Sequence, residues 1–357
     1  MSLYAVENIG DAYEATRAFL FPFSLRRWLK LALVVFFVGG ASLGSGFQGG
    51  FEFDAPVNQP IGPDVGPITS PVTGPADGAA IGQFLPVVLG LVALVLVLAL
   101  AFAAIGSVME FVLVAALREE TVSIRRHFGR YWQKGLRLLG FRVGLWLLTA
   151  ALVAVPVAAV AVVFVGPDTR IGGAAIALAL LVPFALLVAL VAALAYGFTT
   201  VFAVPIMLLE DRGVLSAWRR LWPTLRGQWK EYLAYVVLEL ILSIAVGVAV
   251  GVLTALALVG LAIPFGALGA LTVVAGGGMA SLSPVAIALL AVGALVFAAL
   301  AIVLTALVQV PVLTYFRYYA LFVLGDTDES LDLVPERRRR VRETRDDSSA
   351  TDGRPAA

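Results

Sequence analysis

Apolar residues in this chain come in six long runs, at about 29–47, 84–117, 139–165, 173–209, 232–261 and 285–325. A bilayer core of about 30 Å takes about 20 apolar residues in helix, because hydrocarbon leaves no backbone polar group a partner outside the segment. The pattern therefore predicts an all-α, polytopic membrane protein with a six-helix transmembrane bundle. The first run is the weakest, since WLKLALVVFFVGGASLG dissolves into glycine after Leu43. Pro156, Pro183, Pro205 and Pro311 fall inside runs and predict kinks rather than breaks. Residues 262–284 are apolar but rich in glycine, and read as an external interfacial or re-entrant loop. Residues 48–83 hold six prolines with Asp54, Asp64 and Asp77, and read as an extended, mobile external loop.

Polar segments between the runs repeat one another. Pro22 and Trp28 precede the first run with the spacing of Pro223 and Trp229 before the fifth, and Phe128 to Trp132 is a looser version before the third. Thr199-x5-Pro205 in the fourth run matches Thr305-x5-Pro311 in the sixth. Gly106, Phe111, Leu117 and Glu119 match Gly197, Phe202, Leu208 and Glu210 at an offset of 91. The repeats predict three pseudo-repeated hairpins, each led by a cytoplasmic amphipathic helix. In VLSAWRRLWPTLRGQWKEYLAY, Val214, Trp218, Leu221, Trp222, Leu225 and Trp229 form one helical stripe with Arg219, Arg220 and Arg226 off it. Trp218, Arg219, Arg220, Trp222, Arg226 and Trp229 are thus expected as lipid-interface anchors, each cation worth about 1 kcal/mol beside anionic headgroups. Pro223 is expected to kink or divide this helix.

Charge sets the orientation. Positions 17–30, 118–142, 212–230 and 317–354 carry 4, 7, 5 and 8 of the 25 Lys and Arg residues, leaving only Arg170 for the other side. Both termini are therefore expected in the cytoplasm of a cell-membrane protein. The chain divides into a membrane domain, 1–325, and a disordered cytoplasmic tail, 326–357, with six arginines in 337–345. Composition agrees, with 61% hydrophobic and 14% charged residues against roughly 45–50% and about 25% in soluble domains. Without cysteine, and with His127 the single histidine, thiolate and multi-histidine metal chemistry is excluded.

Candidate chemistry is sparse. Glu110, Arg142, Glu239 and Arg317 lie within runs, roughly 12–14 Å or less from their cytoplasmic ends. An unpaired charge there costs about 2.5–3.5 kcal/mol, so these groups are expected to face the bundle interior as a polar cluster, for packing or for an ion or substrate path. Thr199, Thr200, Gln309, Thr314 and Tyr318 are placed to line the same region. The G-x-G-x-x-G at Gly44–Gly49 follows a membrane helix rather than a strand, so it is no dinucleotide site. Gly247-Val-Ala-Val-Gly251 suits close helix packing within the chain or between copies. No catalytic constellation, metal site or cofactor motif is visible.

The stretches SLYAVENIGDAYEATRAFLFPFSLRRWLKLALVVFFVGG, VFAVPIMLLEDRGVLSAWRRLWPTLRGQWKEYLAY and VPVLTYFRYYALFVLGD resemble an uncharacterised family of integral membrane proteins from halophilic archaea. They are more distantly similar to the membrane domain beside some bacterial glycerophosphodiester phosphodiesterases. The resemblance implies a six-helix membrane domain and carries over no catalytic residue. The expected function is non-enzymatic membrane organisation or scaffolding, with membrane lipids, a second copy or another membrane protein as partners and no nucleic acid. A transporter or channel using the Glu/Arg cluster is the alternative.

Overall fold

The computed structural model describes residues 4–41, 78–164, 171–278 and 281–352. Its helices are α1 (Tyr4–Leu20), α2 (Leu25–Ala41), α3 (Gly78–Glu119), α4 (Ile124–Phe164), α5 (Ile171–Phe198), α6 (Val204–Glu210), α7 (Val214–Gly227), α8 (Trp229–Ala275), α9 (Pro284–Thr327) and α10 (Pro335–Asp352). A π-helical turn, Thr199–Ala203, joins α5 to α6, and a 3-10 turn, Glu329–Leu331, follows α9. Among the described residues there is no strand. Most of the loop expected at 48–83 lies outside the described residues, and 78–83 belong to α3.

Five helices are long and apolar enough to cross a membrane: α3, α4, the α5–α6 rod, α8 and α9. With 17 described residues, α2 falls short of that length. In the most apolar window of each of the five, no more than 11% of residues are buried. Such helices are apolar all round and leave water only if hydrocarbon surrounds them. This is a multi-pass membrane architecture.

The packed core lies at one end of the helices, the base. It joins Val108–Leu117 of α3, Val201–Leu208 around the π turn, and Tyr318–Leu324 of α9 to Ala5, Ala12, Ala15 and Phe19 of α1. Small residues let α1 lie close on α9, where Tyr319 Oη donates to Ala5 O at 2.9 Å. At the α3–α4 contact, a Cβ on Gly135 would stand 2.8 Å from Val108 Cα. Above the base the neighbours run α5, α4, α3, α2, α9, α8 in an open arc.

Each pair of long helices is closed at the base in the same way. Lys30 Nζ, on α2, donates to Val122 O just after α3 at 3.2 Å. Lys134 Nζ, on α4, donates to Met207 O of α6 at 2.9 Å, and Gln228 Nε2, before α8, to Thr327 O of α9 at 3.0 Å. The last carbonyls of a helix lack intrahelical donors, and these side chains supply them. Lys134 also stands 2.7 Å from Asp211, and its hydrogen bond and charge hold that carboxyl below the usual aspartate range.

Two expectations are corrected, and one is narrowed. Residues 262–275 are not a loop, because α8 continues through Pro264 to Ala275 and turns at Gly277 and Gly278, with φ of 78° and 110°, into α9. No polar residue between 240 and 271 offers the backbone an alternative to helix except Ser243 and Thr254, and one proline removes one hydrogen bond rather than ending an apolar helix. Pro223, expected to kink or divide α7, lies inside the helix without dividing it. The segment after 326 is not a solvated tail over its described length. Arg342 reaches Asp11 at 3.1 Å and Asp326 at 2.6 Å, and Arg345 reaches Asp11 at 2.7 Å. Arg338 pairs with Asp326 and Asp332, and Arg337 and Arg340 with Glu120. Asp11 is 1% exposed, so α10 is the lid over a carboxylate that α1 otherwise buries. At Gly325, in the last turn of α9, a Cβ would stand 2.9 Å from Asp332 Cγ, so glycine leaves room for the Arg338–Asp332 pair.

Arg342→Gln removes the guanidinium that joins Asp11 to Asp326. We expect amide exchange over 335–345 to accelerate while α3 and α9 stay protected; unchanged exchange in α10 would contradict the clamp.

Candidate functional site

Glu110, Arg142 and Arg317 meet in the core. Arg142 Nη2 lies 3.1 Å from Glu110 Oε1, and Arg317 Nη2 pairs with Glu110 Oε2. Glu110 has no exposed surface, and the two arginines are 8% and 2% exposed. One carboxylate thus bridges α4 and α9 through both of its oxygens.

Several of the remaining Nη donors find backbone and hydroxyl partners, while Arg142 Nε is buried without one. Arg142 Nη2 also donates to Thr200 Oγ1 at 3.0 Å, its Nη1 to Ser107 Oγ at 3.4 Å, and its Cζ stands 4.7 Å from the Tyr196 ring centre. Arg317 Nη1 donates to Thr200 O at 2.7 Å. The sequence dictates that this carbonyl is available. The N–H of Val204 is drawn to Thr199 O by the π register, and the next residue, Pro205, has no N–H to offer Thr200 O. Arg317 fills the vacancy that Pro205 leaves. Trp218 Nε1 of α7 donates to Thr199 Oγ1 at 2.9 Å, so α7 braces the same turn from below.

Glu239 shares no salt bridge with this set among the described residues. It is 4% exposed, with Tyr235 and the charge of Arg317 acting on it. With Tyr235 it borders a cleft between α5 and α8, apolar elsewhere, that has room for about one water. Gln309 is also remote, beside Gly39 of α2, and Tyr318 Oη donates to Leu117 O at 3.4 Å. Among the described residues no group of three His, Cys, Asp or Glu can hold a metal.

Residues 3–334 match the model of a family of unknown function (DUF7544). The chain belongs to this family. No curated protein and no solved structure matches it. For this family member the geometry therefore has to be read from the chain itself.

The residues expected at the lipid interface divide. Arg219, Trp222, Arg226 and Trp229 are exposed, with the Arg226 guanidinium 5.3 Å from the Trp222 ring centre and Lys230 Nζ 5.9 Å from that of Trp229. Trp218 and Arg220 are turned inward instead. Arg220 reaches Asp328 at 3.0 Å and Glu210 at 3.6 Å, and burial of the Asp328 carboxyl is outweighed by Ser330 and Arg220, which hold it below the usual range. Ser107 and Tyr196 were not foreseen. Ser107 lies three residues before Glu110, on the same helix face, and that spacing was the available signal.

Replacing Glu110 by Gln leaves two buried guanidinium groups short of charge. We expect a loss of about 3–5 kcal/mol, seen as a lower unfolding temperature in mild detergent. Replacing Glu110, Arg142 and Arg317 together by Met should recover most of it; a triple variant no better than Glu110→Gln would contradict a packing role.

Proposed function

We propose that this protein is a six-span, non-enzymatic membrane organiser whose base faces the cytoplasm and rests on anionic lipid. One observation carries the reading. Both Glu110 oxygens are held by arginines, and the three charged residues of the cluster are nearly without exposed surface. A transport path needs a polar group that solvent or substrate can reach, and this cluster offers none.

Several features support the finer parts of the proposal. α2 starts beside Val122 at the base and reaches Gln309, with Phe36 and Phe37 packed on Phe102 of α3. It therefore runs alongside α3 and α9, which supports its reading as a sixth span. Three hairpins closed by a lysine or glutamine at the same place support the repeat. So do Glu120 and Asp211, each with φ of 53°, which end α3 and α6 at the offset of 91 seen in the sequence.

Depth follows from length. α5 alone has 28 residues above the π turn, and about 20 cross the hydrocarbon. The ion-paired layer then sits near the cytoplasmic boundary, with Trp146, 69% exposed one turn above Arg142, at the lipid interface. The described Lys and Arg residues all lie at this level or below it, which supports a cytoplasmic base.

The absence of cysteine makes the topology directly testable. Single cysteines at Ser2 and Ser349 should react with an impermeant maleimide only after cells are opened, and one at Ser70 should react in intact cells. Labelling of either terminus from outside would overturn the orientation. In proteoliposomes, Glu239→Gln should change no ion flux; a flux abolished by that variant would favour the transporter.

A further inference from the structure

α5 and α8 are the two ends of the arc, and they stand side by side only at the base. Phe198 meets Tyr232 at 6.2 Å between ring centres, and the π turn's Phe202 meets Tyr232 and Tyr235 at 5.3 and 5.1 Å. Just above, Ala193 and Gly197 of α5 face Tyr235 and Glu239 of α8 across the narrow cleft. Further up the helices hardly touch. The α5 wall continues as Leu190 and Leu186, 52% and 66% exposed, and at Gly251 on α8 nothing lies within 4 Å of where a Cβ would stand. This glycine of the G-x-x-x-G therefore makes no close helix contact within the chain. In a bilayer such a gap between apolar walls fills with a hydrocarbon chain.

What lies beneath the gap names the rest of the occupant. α7 passes under it, tied to its foot by the Trp218–Thr199 hydrogen bond. The outer face of α7 presents Leu215, Arg219, Trp222 and Arg226 at alternating steps of four and three, a single helical stripe, and the exposed Trp229 opens α8 just beyond it. Arg220, off that stripe, spends its charge on Glu210 and Asp328. Arg219, Arg226 and Lys230 make no ion pair among the described residues, and the ring neighbours of Arg226 and Lys230 leave those charges uncompensated. Two arginines two turns apart, flanked by exposed indoles at headgroup depth, match a phosphate rather than an ammonium.

We propose that the gap between α5 and α8 is a site for one anionic membrane lipid, its hydrocarbon chain lying between the two helices and its phosphate on Arg219 and Arg226. This rests on the reading of the base as lipid-facing. A zwitterionic lipid offers the same chain but sets an ammonium against a cationic face, so the site selects net negative headgroups. Glu239 lies about 15 Å up α8 from Trp229, beside the chain and away from the phosphate.

The test is lipid retention by the full chain purified in mild detergent from nanodiscs holding equal anionic and zwitterionic phospholipid. The wild type should keep anionic lipid preferentially. Arg219→Gln/Arg226→Gln should lower that retention roughly thirtyfold, in line with losing two surface cations at about 1 kcal/mol each. In the unmodified protein, lipids brominated on their chains should quench tryptophan fluorescence more when anionic than when zwitterionic, a readout that needs no variant to fold. Equal quenching, or equal retention by wild type and the double variant, overturns the site. Release of the wild type from membranes by alkaline carbonate would instead overturn the membrane reading itself.

Discussion

A carboxylate without exposed surface is tolerable only where positive charge and hydrogen-bond donors surround it, and Glu110 has both. Its two oxygens hold Arg142 of α4 and Arg317 of α9, while its own helix, α3, supplies the third side. Helices this apolar attract one another weakly in lipid, since side chains and lipid tails are alike to each other. A buried bridge between three of them is directional where the apolar contacts are not. It fixes which helices meet and at what height, at the cost of a strong penalty if one partner is lost.

The bridge depends in turn on a local defect in a helix. Pro205 removes a donor, the backbone widens into a π turn, and Thr200 turns both its carbonyl and its hydroxyl toward the arginines. α7 supports that turn through Trp218, and α1 and α10 close the base around it. Packing is thus concentrated where charges are, and the long helices above are left bare for lipid. This division explains how one chain can carry both a densely hydrogen-bonded core and five helices with hardly a buried residue in their most apolar windows.

Much of this was legible in the sequence, and for definite reasons. The length of the apolar runs identifies membrane helices because hydrocarbon admits few alternatives, and the cost of a charge in a span drew attention to Glu110, Arg142 and Arg317. Depth is not azimuth, however. Glu239 lies at a similar height but on a different face, and nothing in a single helix says which face a neighbour covers. The same gap in information hid the inward turn of Trp218 and Arg220, which depends on where the π turn sits. The 262–284 segment misled because glycine in an apolar run suits a loop and a helix alike. The arginine-rich end misled because its partners, Asp11 and Glu120, lie hundreds of residues away in the chain and carry no local mark.

The account turns on Pro205 as the origin of the vacancy that Arg317 fills, and Pro205→Ala tests that directly. Relieving a proline inside a helix ordinarily adds stability, by up to about 3 kcal/mol. Here the new N–H competes with Arg317 for the Thr200 carbonyl, so the unfolding temperature in mild detergent should fall. A Pro205→Ala protein that melts higher than the wild type would contradict the account.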